Sequence, residues 1–220
     1  MILYDYILSP NCYKVRLMAA LIGKEITLRP VDFHPGKEHK SEALLPLNPA
    51  GSIPILTDGD LVLTESAAML AYLAARHAEE WLGDDTPQHA AEVQQWLAFS
   101  HRLTASLGGA RLVEMLHGQG DLQALQTQGI AALRELEGAL FAKRLKGHDF
   151  LVGDRITIAD IACFPYVALA SDGSVSLDPY PSIRIWMRKI RAQPGFIEMP
   201  GIHRLHELAP DPLLQTQEAY

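Results

Sequence analysis

Apolar residues fill nearly every position from Ile2 to Leu8, the pattern of a strand covered on both faces. Ser9-Pro10-Asn11 breaks the run, and Val15, Leu17, Met18, Leu21 and Ile22 then recur at helical spacing within Tyr13 to Ile22. Gly23 tolerates the left-handed conformation that ends a helix, and strand character resumes from Ile26 to Val31. These segments predict a βαβ unit with a parallel strand pair. Residues 34–50, with Pro35, Pro46 and Pro49, read as a loop-rich connection that leaves room for one short helix around Ser41 to Leu45. Ile53 to Thr57 and Leu61 to Leu63 flank Asp58-Gly59, a strong short-range hairpin signal. Ser66 to Arg76 carries Ala67, Leu70, Ala71, Leu73 and Ala74 on one helical side. The polar break Gly83 to Pro87 then opens a new helix, with Thr86 as N-cap and Pro87 as its first residue. Beyond it the pattern predicts only helices, at 88–116, 121–145, 157–171 and 181–192. Thr157-Ile158-Ala159-Asp160 reads as a capping box, with Ile156 and Ile161 placed for a hydrophobic staple.

Composition narrows the function classes. The 220 residues suit one or two domains, and 48% apolar content supports a well-buried core. A net charge of −7 argues against a nucleic-acid surface, which needs clustered Lys and Arg. No run of about 18 apolar residues exists to predict a membrane span. The N-terminus has neither the basic start nor the small-residue cleavage site of a signal peptide. Cys12 and Cys163 are the only cysteines and form no disulfide framework. The nine histidines show no zinc spacing; His203 and His206 share a face only if that segment is helical. These features predict a soluble protein of the cytoplasm, with no metal.

One stretch adds candidate chemistry. Ala50-Gly51-Ser52-Ile53-Pro54-Ile55-Leu56, followed by Leu63-Thr64-Glu65-Ser66, sets a proline-led strand beside a helix start. Free backbone groups and two polar side chains then fall in one small region. That geometry suits the backbone and terminal carboxylate of a small peptide.

The order and spacing of these elements resemble the cytosolic glutathione transferase superfamily over essentially the whole chain. Ser52-Ile53-Pro54, Thr64-Glu65-Ser66-Ala67-Ala68 and the Thr157 to Asp160 box carry the resemblance. Ser9 to Arg16 and His39-Lys40-Ser41 are most similar to its serine types, theta-like and bacterial. The resemblance implies an α/β plus all-α fold. A thioredoxin-like, glutathione-binding domain (βαβ-α-ββα) would span 1–80, and a helical-bundle domain with the second-substrate pocket would span 86–220. It also implies a homodimer, a role in detoxification, and glutathione as co-substrate with a small electrophile as its partner.

Residue roles follow from the same resemblance. Ser9 would donate its hydroxyl to the glutathione sulfur. A hydrogen bond to a charged group stabilises by roughly 1.5–3 kcal/mol. That lowers a free thiol of pKa about 8.5 by one to two units. Asn11 competes for that role, and Cys12 sits at a helix start that favours thiolate. The plain alternative for Ser9 is a capping serine. Pro54 would follow a cis peptide bond that turns the Ile53 backbone toward the cysteinyl part of glutathione. Glu65 would take the γ-glutamyl ammonium and Ser66 its carboxylate; both are otherwise capping residues. His39, Lys40 and Ser52 would face the glycine carboxylate, although many relatives place a cation where Ser52 stands. Leu107, Arg111 and Met115 would line the second-substrate pocket, with a surface ion pair as the alternative for Arg111. Arg102 stands where theta-like members have an acidic residue. Trp96, Phe99 and Leu103 read as core, and Tyr4 and Tyr6 as residues packed in the sheet. The expected activity is a glutathione transferase. The alternatives are a glutathione-dependent disulfide or peroxide reductase, suggested by Ser9-x-Asn11, and a non-catalytic protein-binding module of the same fold.

Overall fold

The computed structural model describes residues 1–84 and 86–200. His203 and His206 lie outside the described residues. The chain opens with strand β1 (Ile2–Asp5), helix α1 (Pro10–Leu21) and strand β2 (Thr27–Pro30), and β1 and β2 pair in parallel. β3 (Ile55–Asp58) pairs antiparallel with both β1 and β4 (Leu61–Leu63), giving the order β2-β1-β3-β4. Gly59 adopts φ +59° at the first central position of the two-residue hairpin loop, where the mirror-image turn requires positive φ. Helix α2 (Ser66–His77) completes this half, with Met69, Leu70, Leu73 and Ala74 buried.

The remainder is helical: α3 (Pro87–Leu103), α4 (Gly109–Leu116), α5 (Leu122–Arg144), α6 (Ile158–Ala168) and α7 (Pro181–Arg191). Helix α6 is buried along its whole length and forms the centre of the second half, packing on α1, α2, α3 and α7. Its capping box is complete. Thr157 Oγ1 accepts from the Ala159 N–H at 3.3 Å, and Asp160 Oδ2 accepts from the Thr157 N–H at 2.9 Å. Asp160 is fully buried. Its Oδ1 also accepts from the Leu151 N–H and the Trp186 indole N–H, so one carboxylate joins the approach loop, α6 and α7. Thr86 caps α3 as expected, accepting from the His89 N–H.

Three segments depart from the hydrophobic pattern. β1 ends at Asp5, and Ile7 and Leu8 are exposed in the turn that follows. Residues 41–49 form successive turns instead of a helix, because Pro46 and Pro49 supply no N–H to extend one. The expected 88–116 helix is interrupted by a π-helical turn, Thr104–Gly108. There the Thr104 and Ser106 hydroxyls donate to the carbonyls of Ser100 and Arg102, one turn back. Such bonds compete with the backbone ladder, and Gly108-Gly109 follows with little helix preference of its own.

Candidate functional site

A cleft of about 420 Å³ lies between the sheet half and α4. That is an ordinary size for a small-ligand site. The sheet side contributes Tyr6, Leu8, Ser9, Asn11, Phe33, His39, Lys40, Ser52 and Ile53. The helical side contributes Thr104, Gly108, Arg111, Leu112, Met115 and Tyr166.

Ser9 is the N-cap of α1, its Oγ accepting from the Cys12 N–H at 3.3 Å. The hydroxyl hydrogen remains to be donated. The capping and donating roles are therefore compatible. Asn11 is the second residue of the same helix, and its Oδ1 accepts from the Ser66 hydroxyl at 3.4 Å. Its amide N–H groups are left as donors at the cleft. Cys12 is fully buried, donates weakly to the Tyr4 carbonyl, and does not line the cleft. Burial pushes its thiol up to about 12, far from a nucleophile's range.

The Ile53–Pro54 bond is cis, as the resemblance implies, and His34–Pro35 is a second cis bond. The turn ahead of Ile53 is organised by Asn48, a buried residue that the sequence reading missed. Its amide donates to the carbonyl and hydroxyl of Ser52 at 2.8 and 2.9 Å, and its Oδ1 accepts from the Ala50 N–H. The Asn-Pro-x-Gly turn composition was the available signal. Ser52 is thus held by Asn48, and its hydroxyl already accepts a bond.

His39 is buried and stacks on Phe33, with centroids 4.2 Å apart. Its Nδ1 has no hydrogen-bond partner among the described residues. Burial, reinforced by Lys40 and Lys37, holds its pKa below the usual imidazole value. His39, neutral at pH 7, thus lies next to the exposed Lys40 ammonium. Tyr6 leaves the sheet and approaches Phe33 at 5.4 Å, lining the cleft instead of packing among the strands.

Glu65 occupies the N-cap position of α2 but makes no capping hydrogen bond and is exposed. The first N–H groups of α2 therefore have no side-chain cap. Pro54, Glu65 and Ser66 are not part of the cleft lining itself. Ser66 is buried behind Asn11 and linked to it.

The helical wall holds Arg111 and Met115. Leu107 does not belong to it: buried in the π-helical turn, it packs where a Cβ on Gly129 would lie 2.5 Å from it. Gly108 meets Tyr166 so closely that a Cβ there would lie 2.6 Å from the ring. Tyr166 and Thr104 reach the cleft from α6 and the π-helical turn, which periodicity did not indicate. Arg111 is no surface pair. Its Nε donates to Asp172 Oδ2 at 2.9 Å and its Nη1 to the Leu8 carbonyl at 3.2 Å, both side chains being nearly buried. Arg102 is exposed and pairs with Glu135 at 2.8 Å. Trp96, Phe99 and Leu103 are core. Among the described residues no group of His, Cys, Asp and Glu is arranged for a metal ion, and no helix is long and apolar enough to cross a membrane.

Known proteins share the organisation of this chain. Residues 3–81 match the family model described as glutathione S-transferase, N-terminal domain, and residues 131–194 match glutathione S-transferase, C-terminal domain. Glutathione S-transferase 3 of Zea mays is 32% identical over 88% of this chain and 90% of its own. Glutathione S-transferase theta-1 of Bos taurus is 28% identical over 92% and 87%. The crystal structure of a possible glutathione S-transferase from Rhodopseudomonas palustris superposes with a TM-score of 0.80 at 33% identity, covering 90% of this chain and 97% of that one. With a thioredoxin-like half followed by an all-helical half, the chain belongs to the cytosolic glutathione transferase superfamily of enzymes.

Proposed function

We propose that this protein binds glutathione in the cleft and transfers its sulfur to a small electrophile. The observation that carries the proposal is the convergence of two donors, the Ser9 hydroxyl and the Asn11 amide, on one cleft beside His39, Lys40 and the Ile53 backbone. The orphaned His39 Nδ1 and the Lys40 ammonium suit a carboxylate. The uncapped start of α2, with Glu65 beside it, suits the charged γ-glutamyl end.

The thiol loses its proton to solvent, and the donors of Ser9 and Asn11 stabilise the sulfur anion left behind. The sulfur lone pair then forms a bond to the electrophilic carbon. Either a leaving group departs with its electron pair, or, in an addition, the new carbanion takes a proton from water. Leu112, Met115 and Tyr166 would receive the apolar body of the electrophile. We further propose a cytoplasmic homodimer acting in detoxification.

The test is the ultraviolet absorbance of bound thiolate against pH. Ser9→Ala and Asn11→Ala should each raise the pH of half-ionisation, by about one unit for each 1.4 kcal/mol of lost hydrogen bonding. Unchanged titration in both variants would remove these residues from the chemistry. Faster turnover of a disulfide or hydroperoxide than of an aryl halide would select the reductase reading. Absence of glutathione binding at millimolar concentration would leave a non-catalytic module. Sedimentation of the purified protein checks the dimer.

A further inference from the structure

The turn that delivers Ser9 is held by two arginines from different parts of the molecule. Arg16, on α1, donates to the Ile7 carbonyl at 2.9 Å and pairs with Asp5 at 3.3 Å. Arg111, on α4, donates to the very next carbonyl, that of Leu8, at 3.2 Å. The Ser9 N–H closes the turn onto the Tyr6 carbonyl at 2.8 Å. Leu8 itself is exposed and lies outside the strand, so its backbone gains no sheet bonding. Arg111 is the only contact that fixes the Leu8 carbonyl among the hydrogen bonds of the described residues.

Arg111 is itself braced. Asp172 takes its Nε at 2.9 Å. The turn carrying Asp172 packs backbone to backbone on α4, since a Cβ on Gly173 would lie 3.0 Å from the Arg111 nitrogen. Gln126 on α5 holds the same turn by donating to the Gly173 carbonyl at 3.0 Å. A planar guanidinium presents donors on separate nitrogens in a rigid fork, whereas an ammonium donates from a single point.

We infer that Arg111 is a positioning residue: braced by Asp172, it fixes the peptide entering Ser9 and so aims the Ser9 hydroxyl at the glutathione sulfur. The inference rests on the proposed role of Ser9. Small misplacements of a catalytic donor lose much of its effect, so the contact matters although Arg111 need not touch the sulfur.

The experiment titrates the bound thiol in the full-length wild type, Arg111→Met, Arg111→Lys, Asp172→Asn and Ser9→Ala, with thermal melting and the KM for glutathione measured on each. Arg111→Met should raise the thiol pKa by about one unit and lower kcat about tenfold, with KM for glutathione within about twofold of wild type. Arg111→Lys should recover part of the shift. Asp172→Asn should shift the pKa in the same direction by less, because the guanidinium loses its brace. A guanidinium acting only as a positive charge predicts the opposite sign for Asp172→Asn, and that result would overturn the inference. So would an unshifted thiol in a well-folded Arg111→Met protein when Ser9→Ala does shift it. If Arg111→Met does not fold, the Asp172→Asn sign decides. No shift in Ser9→Ala would instead sink the role of Ser9, and this inference with it.

Discussion

At the scale of single residues, the site works with neutral groups as much as charged ones. His39 is kept neutral at pH 7 by burial and by the ammonium groups of Lys40 and Lys37. A carboxylate bound against it would favour its protonated form. The sign of the resulting linkage is definite. Such binding would raise the His39 pKa and take up protons, so affinity should weaken as pH rises through the interval between the free and bound values. Nuclear magnetic resonance should find the His39 ring titrating below 6.5 in the free protein and higher with glutathione present. A His39→Gln variant should lose the pH dependence of affinity, measured by calorimetry. An affinity that is flat through the same range in wild type would count against a carboxylate at His39. Cys12, with its thiol raised to about 12 and no exposure, should resist alkylation in the native protein.

At the scale of elements, the start of α6 gathers several buried hydrogen bonds around one carboxylate. Burial pushes the Asp160 carboxyl above its ordinary range, and the bonds from Trp186, Thr157 and Leu151 pull in the other direction. Thr157→Ala removes one capping acceptor and should lower unfolding stability by about 1 kcal/mol. Asp160→Asn turns an amide N–H2 toward donors that need an acceptor, and should cost roughly 2–4 kcal/mol in chemical denaturation. A smaller loss for Asp160→Asn than for Thr157→Ala would contradict this account. The π-helical turn gives a different prediction. In Gly108→Ala the new methyl forces the Tyr166 ring to move within the cleft. KM should rise for the electrophile and change little for glutathione; equal rises in both would mean that α4 has moved as a unit.

The same elements explain what was readable beforehand. Caps and turns speak locally: Thr86-Pro87, Thr157 to Asp160 and the Gly59 hairpin fall where their residue chemistry put them. The π-helical turn was silent because its cause is a set of hydroxyl bonds and close glycine contacts, and Thr104 to Gly108 keeps ordinary helical periodicity. Ile7 and Leu8 read as strand because apolar character alone cannot distinguish a buried strand from a cleft lip. Ser9, Asn11, His39 and Ser52, named through local motif likeness, all line the cleft. Tyr166 and the Arg111 contact with Leu8 depend on residues more than a hundred positions apart meeting, which one sequence does not display.

At the scale of the whole molecule, the two halves meet over a buried charge. Lys14 of α1 is almost wholly enclosed, with its ammonium 5.0 Å from the centre of the Tyr166 ring. Burial lowers its pKa from 10.5 to about 8. The folded protein therefore sheds this proton before the unfolded chain does. Between pH about 8 and 10.5 the unfolded state binds more protons at this site, and Lys14 makes stability rise with pH there. Other buried acids titrate in the opposite sense, so the measurement is a difference. Lys14→Met should be more stable than wild type at neutral pH, and its advantage should shrink through that interval. A constant difference in denaturation midpoint across the interval would show that Lys14 is not a strained cation.

The cleft walls differ in what they are made of. One carries side chains whose placement is fixed by backbone features: a cis peptide bond, a turn tied by Asn48, and the start of α1. The other presents side chains on α4, among them Leu112 and Met115, which are 46% and 54% exposed and carry no part of the core. Substitution there costs the fold almost nothing. Under the proposed function, single changes at those two positions would retune which electrophiles enter and leave the opposite wall, the proposed glutathione side, untouched. The cleft would then be free to vary on one side and constrained by the fold on the other.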